Sequence, residues 1–223
     1  EKYPEDWVDK LFVYCIVSTV IGARLGHCLF YEWDYYSVHP AEILKIWKGG
    51  LASHGGVFAI ILALVWYSKK VTKKSVWWLF DRMIPAVAVV CFCIRFGNLM
   101  NSEIYGYPTT LPWGFEFVRS REWHQLYEGL PCHPTQIYEM LYCLVAGITA
   151  WVMYHKYHLQ NRVGLITGVS LLIFFGSRFA LEFMKNPQVV EETNMTLNIG
   201  QWLSVPLILL GGYLIYKSKT AKV

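Results

Sequence analysis

Six apolar runs, each 17 to 21 residues long, leave this 223-residue chain few ways to fold. They cover residues 11–31, 51–67, 83–100, 134–154, 163–183 and 199–216. A helix rises about 1.5 Å per residue, so each run reaches across the roughly 30 Å hydrocarbon core of a bilayer. With 55% hydrophobic and only 16% charged residues, the chain reads as an all-α polytopic membrane protein. The expected architecture is one integral membrane domain over residues 1–223, with residues 102–133 forming an external loop or small cap.

Six crossings bring both ends to one side, and the basic residues choose which. Twelve Lys and Arg fall on the side of the termini, including Lys2, Lys10, Lys69, Lys70, Lys73, Lys74, Arg82 and Lys222, against five on the opposite loops. By the positive-inside rule both ends are expected in the cytoplasm. Ten Trp and fifteen Tyr suit the aromatic belts at the two interfaces. Of the six cysteines only Cys132 falls in an external loop, and the Cys91/Cys93 pair lacks neighbours suited to a metal site.

Given that orientation, the polar residues within the runs share a depth. Arg24 and His27, His54, Arg95 and Asn98, Gln136, Tyr138 and Glu139, then Arg178 and Glu182 all fall toward the outer leaflet, on five helices of alternating direction. An arginine at mid-membrane costs roughly 2.5 to 3.5 kcal/mol, against a gain of about 0.3 to 0.6 for each large aliphatic residue. A polar chamber opening outward accounts for the shared depth with one assumption. Within it, Arg95 and Asn98, three apart, lie on one helix face, as do Arg178 and Glu182 at four apart. Gly49, Gly50, Gly55 and Gly56 frame His54, and Gly97 and Gly106 flank the polar group after Arg95. Pro134 suits a first helical turn and Pro187 a helix end.

Two outer-leaflet guanidiniums match the phosphate of an anionic lipid, since they stay charged at low dielectric and bind phosphate oxygens bidentately. The plainer alternative pairs Arg178 with Glu182 and Arg24 with Glu139 or Glu103, simply to hold helices together. A histidine such as His54 is more often a packing group than a base, though its glycine frame favours a functional one.

Four stretches in order, GGLASHGG, RFGNLMNSEIYG, HPTQIYE and GSRFALEFMKNP, closely resemble the signatures of bacterial prolipoprotein diacylglyceryl transferase, and GARLGHCLFY in the first run is similar too. The resemblance implies transfer of the diacylglyceryl group of phosphatidylglycerol to the lipobox cysteine thiol in a prolipoprotein signal peptide, with release of glycerol 1-phosphate. It implies catalytic roles for His54, Arg95 and Arg178. It further implies substrate binding by Arg95, Gly97, Asn98, Glu103, Gln136, Tyr138, Glu139, Arg24 and Glu182, with His133 in the same fourth-run stretch. No metal or other cofactor and no nucleic acid is implied. The expected place is the bacterial inner membrane, with the site facing the outer leaflet. The family ordinarily has seven spanning helices, and this sequence starts near the second, so the first is expected to be missing. Where the family often has tyrosine four residues before the second arginine, this chain has Phe174. The competing classes are an anionic-lipid transporter or flippase, which calls for polar residues at every depth and an internal repeat, and a structural scaffold.

Overall fold

The computed structural model describes residues 3–127, 129–186 and 197–220. Lys2, Pro187 and Lys222 lie outside them. The helices are α1 (Asp6–Phe30), α2 (Trp33–Val38), α3 (Ser53–Tyr67), α4 (Val76–Met100), α5 (Arg121–Leu126), α6 (Thr135–His155), α7 (Leu165–Leu181) and α8 (Ile199–Thr220). Among the described residues α1, α3, α4, α6, α7 and α8 are long and apolar enough to cross a membrane, as the six runs require.

Helix ends depart from the apolar runs for identifiable reasons. Helix α1 starts at Asp6, five residues earlier than the apolar run, because Asp6 and Asp9 suit the positive N-terminal end of a helix and Lys10 donates to Asp6 at 2.6 Å. Helix α3 starts only at Ser53, since Gly49 and Gly50 take φ of 87° and 69°, outside the helical region. Helix α4 starts at Val76, seven residues before its apolar run, and takes in Asp81. Helix α7 ends at Leu181 and tightens into a 3₁₀ turn over Glu182–Met184.

The chain divides into two compact units, Glu1–Leu79 and Phe80–Val223, with the division falling inside α4. In the first, α1 and α3 pack closely through small residues. Gly22 and Gly26 form a GxxxG stripe on α1, and a Cβ placed on Gly26 would lie 2.8 Å from Gly55 Cα. Bilayer lipid offers no hydrophobic drive to join helices, so this backbone approach supplies the van der Waals contact that does. At the other end of the pair, Tyr67 donates to the Trp7 carbonyl at 2.7 Å, and Trp7 stacks on Tyr3 with ring centroids 5.5 Å apart.

In the second unit α7 packs on α6 and α8. The α7–α8 seam repeats the small-residue device: a Cβ on Gly168 would lie 2.8 Å from the Gly211 carbonyl oxygen. Asp81, 1% exposed, accepts from Gly164 N at 2.6 Å and from Thr167 N and Oγ1 at 2.7 and 2.6 Å. These donors are the otherwise unpaired start of α7, so the carboxylate and the helix end satisfy one another. Helix α8 opens on a reciprocal cap, Asn198 N to Gln201 Oε1 at 3.0 Å and Gln201 N to Asn198 Oδ1 at 2.9 Å.

The segment between α4 and α6 builds a core of its own from Tyr105, Phe117, Trp123 and Cys132. Tyr105 stacks on Phe117 at 4.6 Å between centroids, and Trp123 Nε1 donates to the Leu130 carbonyl at 2.8 Å. Short antiparallel bridges Pro108–Cys132 and Phe115–Cys132 close it, and Gly106–Lys185 ties it to the residues after α7.

Candidate active site

Arg95 sits in the last two turns of α4, and its guanidinium has two partners. Nε forms an ion pair with Glu139 Oε2 at 2.9 Å and Nη1 donates to Asn98 Oδ1 at 3.3 Å. Asn98 Nδ2 in turn donates to Glu103 Oε2 at 3.2 Å, and the Glu103 N–H returns to the Asn98 carbonyl at 2.9 Å. The spacing of three between Arg95 and Asn98, on one helical face, gives the first link; the turn after α4 gives the second.

That turn is strained. Ser102 and Ile104 have φ of 57° and 58°, the left-handed region, which a β-branched residue rarely enters. Helix α6 holds it in place: Gln136 Nε2 donates to the Glu103 carbonyl at 2.6 Å and Thr135 Oγ1 to the Ile104 carbonyl at 2.8 Å. Gly106 is needed for the next close approach, since a Cβ there would lie 2.9 Å from both His133 Cβ and Thr135 Cγ2. A Cβ on Gly97, by contrast, would meet nothing within 4 Å, so packing does not require that glycine.

Glu139 is wholly buried, and its second oxygen accepts from Lys185 Nζ at 2.8 Å. Lys185, 6% exposed, also stands 3.8 Å from Glu182 Oε2. A buried carboxylate is tolerable only when paired, and here two cations share it. By sequence Lys185 is one of the five basic residues on the loops opposite the termini. Its signal was present, a lysine three residues after Glu182 in an apolar stretch, but not its partner 46 residues away.

The pairings considered for a purely structural role are replaced by others. The Arg178 and Glu182 side chains do not pair: the Glu182 N–H still donates to the Arg178 carbonyl, but the chain tightens into a 3₁₀ turn there and the Glu182 carboxylate turns to Lys185. Glu182 also covers the start of α8, where a Cβ on Gly200 would lie 2.7 Å from Glu182 Oε1. Arg178 instead lines a cavity of about 260 Å³ together with Arg95, Tyr142, Cys91, Ile94 and Phe174. Among the described residues its guanidinium has no hydrogen-bonding or ion-pair partner.

Tyr138 accepts from Trp113 Nε1 at 2.9 Å and lies 3.3 Å from His133 Nδ1, so both belong to a link between α6 and the segment before it.

Arg24 and His54 belong to the first unit. Arg24 is 3% exposed and, among the described residues, pairs with no carboxylate; its donors go to carbonyls, Nε to Ile43 at 2.9 Å, Nη1 to Gly49 at 2.7 Å and Gly50 at 3.2 Å, and Nη2 to Glu42 at 2.7 Å. Its guanidinium also lies 5.0 Å from the centre of the Tyr36 ring. The buried arginine is thus satisfied by backbone and fixes the segment that leads into α3. His54 is exposed in the first turn of α3, with no hydrogen-bonding partner among the described residues. Gly55 beside it serves the packing on α1, and Gly49 and Gly50 supply the left-handed turn.

The arrangement can bind an anion at paired guanidiniums while keeping its own carboxylates compensated. A family model described as prolipoprotein diacylglyceryl transferase matches residues 1–217. The phosphatidylglycerol--prolipoprotein diacylglyceryl transferase of Porphyromonas gingivalis is 46% identical to this chain, with 98% of the chain and 80% of the relative covered. The enzyme of the same description from Chloroherpeton thalassium is 46% identical over 98% of the chain and 79% of its own length. That from Tolumonas auensis is 40% identical over 100% and 83%.

Proposed function

The chain belongs to the prolipoprotein diacylglyceryl transferase family, and from that premise we propose how its residues carry out the transfer. It moves the diacylglyceryl group of phosphatidylglycerol to a prolipoprotein, the acceptor being the lipobox cysteine thiol of the signal peptide. The thiolate attacks the glyceryl carbon that bears the phosphate; the C–S bond forms, the C–O bond breaks, and its electron pair leaves with glycerol 1-phosphate. A free thiol has a pKa of about 8.5, so a base is needed near neutral pH, and His54 is assigned that role.

Arg95 and Arg178 bind the lipid phosphate and stabilise the charge that grows on it as the bond breaks. The observation that carries this is the single cavity lined by both guanidiniums, one of which has no ion-pair partner among the described residues. Glu139, shared between Arg95 and Lys185, supports the same reading: Arg95 can turn to a phosphate while Lys185 keeps the buried carboxylate compensated. Asn98 and Glu103 orient Arg95. Gly97 leaves open space on the same helix for substrate. Gln136 holds the turn that carries Glu103, Tyr138 and Glu182 are assigned to substrate binding by the family motifs, and Arg24 sets the loop ahead of His54.

The distribution of basic residues supports placement in the bacterial inner membrane with both ends of the chain cytoplasmic and the site in the outer leaflet. The test uses the full-length protein in detergent with phosphatidylglycerol and a lipobox peptide, scoring glycerol phosphate release. Wild type is expected to turn over, and Arg95→Ala and Arg178→Ala to fall to background while melting as wild type does. Tight lipid binding by wild type without any release would overturn the reading.

A further inference from the structure

Among the residues lining the cavity that holds Arg95 and Arg178, one hydroxyl is present, that of Tyr142 on α6. Its bond to Glu139 Oε1 is 3.5 Å long, well beyond the 2.5 to 3.0 Å usual for O–H···O. That same oxygen is already held by Lys185 at 2.8 Å. The hydroxyl is therefore poorly satisfied in its present partner, in a partly buried place where a good acceptor is worth most. The ring itself is fixed. It stands edge-on to Phe174, centroids 6.0 Å apart and planes at 90°, so a turn of the O–H needs no movement of the ring.

We propose that Tyr142 is a phosphate-binding residue of the transfer reaction, its hydroxyl leaving Glu139 to donate to a non-bridging phosphate oxygen of the lipid. This rests on the assignment of Arg95 and Arg178 to that phosphate. The two guanidiniums draw the anion into the cavity that Tyr142 lines, and the phenol adds a neutral donor that needs no further compensating charge. Cys91 and Cys143 line the same cavity but offer only weak S–H donors, and Phe174 offers none. The proton stays on the phenol throughout. As the C–O bond breaks, charge on the departing phosphate rises and the hydrogen bond strengthens, so its contribution falls on kcat more than on KM.

Initial rates of glycerol phosphate release across a series of phosphatidylglycerol concentrations test this, together with melting temperature. Tyr142→Phe keeps the ring and its contact with Phe174. It is expected to lower kcat roughly 10- to 100-fold, the range of a hydrogen bond to a charged group, with KM and melting temperature close to wild type. Tyr142→Phe combined with Phe174→Tyr returns a hydroxyl from the facing ring and is expected to recover part of the lost kcat. Wild-type kcat in Tyr142→Phe overturns the proposal and leaves the transferase reading intact. So does a loss of kcat that tracks a lower melting temperature and is not recovered by Phe174→Tyr, which assigns Tyr142 to packing. Wild type that releases no glycerol phosphate removes the transferase reading itself, and this proposal with it.

Discussion

Arg95 Nε and Glu139 Oε2 stand 2.9 Å apart, joining the last two turns of α4 to the first turns of α6 across 44 residues of chain. Glu139 is wholly buried and also carries Lys185, so one carboxylate compensates two cations. Neutralising that carboxylate leaves Arg95 without a carboxylate and Lys185 with only the 3.8 Å contact to Glu182. Glu139→Gln is expected to cost roughly 3 to 5 kcal/mol of stability, read as a fall in melting temperature in detergent. A melting temperature equal to wild type would show that the pair is not formed in the bilayer-like state.

Asp81 is the staple between α4 and the start of α7. Asp81→Ala strands the Gly164 and Thr167 amides and the Thr167 hydroxyl, three donors in a buried place. A loss of about 3 kcal/mol is expected, together with faster amide exchange in the first turn of α7 and unchanged turnover per folded molecule. Slower turnover at full stability would instead bring Asp81 into the reaction.

The glycines separate into two kinds, and substitution distinguishes them. Gly26→Val forces α1 away from Gly55 and is expected to lower stability by roughly 1 to 3 kcal/mol or more. Gly97→Ala meets nothing within 4 Å and is expected to melt as wild type does. If Gly97 leaves room for substrate next to Arg95, the same variant raises KM for phosphatidylglycerol; an unchanged KM removes Gly97 from the binding site.

The loop before α3 carries a pH dependence at its acidic end. Hydrogen bonds from Lys45 and then Lys48 hold the Glu42 carboxyl down at about 2. An unfolded glutamate titrates near 4.3, so the clamp contributes fully above about that pH and is lost as pH falls toward 2. Lys48 is raised by the same hydrogen bond, so its share is lost only as pH rises through its folded value in the alkaline range. Limited proteolysis of residues 39–50 is expected to be flat near neutrality and to quicken below about pH 4. High salt weakens the clamp because Lys48 is exposed and Glu42 and Lys45 are only partly buried. Equal cleavage at pH 3 and pH 7 would show that Glu42 holds nothing.

Much of this molecule was legible in its sequence. Six apolar runs dictated six helices, because a backbone in hydrocarbon must satisfy its own hydrogen bonds and a helix does so within one segment. Residues three apart, such as Arg95 and Asn98, were readable as neighbours for the same reason, and the family motifs pointed to Arg95, Arg178 and His54. Helix ends were less legible where charges were hidden. Asp81 and Asp6 lie outside the apolar runs yet are helical, because the α7 amides and Lys10 compensate them.

Only the tertiary structure decided which charge meets which. Arg24 turned from the carboxylates that sequence offered to the carbonyls of Glu42, Ile43, Gly49 and Gly50. The Glu182 carboxylate faces Lys185 rather than Arg178, and Tyr142 lines the cavity that holds Arg95 and Arg178. The physical reason is that apolar burial and helix formation depend on a residue and its near neighbours, which the sequence records directly. A buried charge is satisfied by whatever the fold brings within about 3 Å, and the partners of Arg24, Asp81 and Glu139 lie between 18 and 86 residues away.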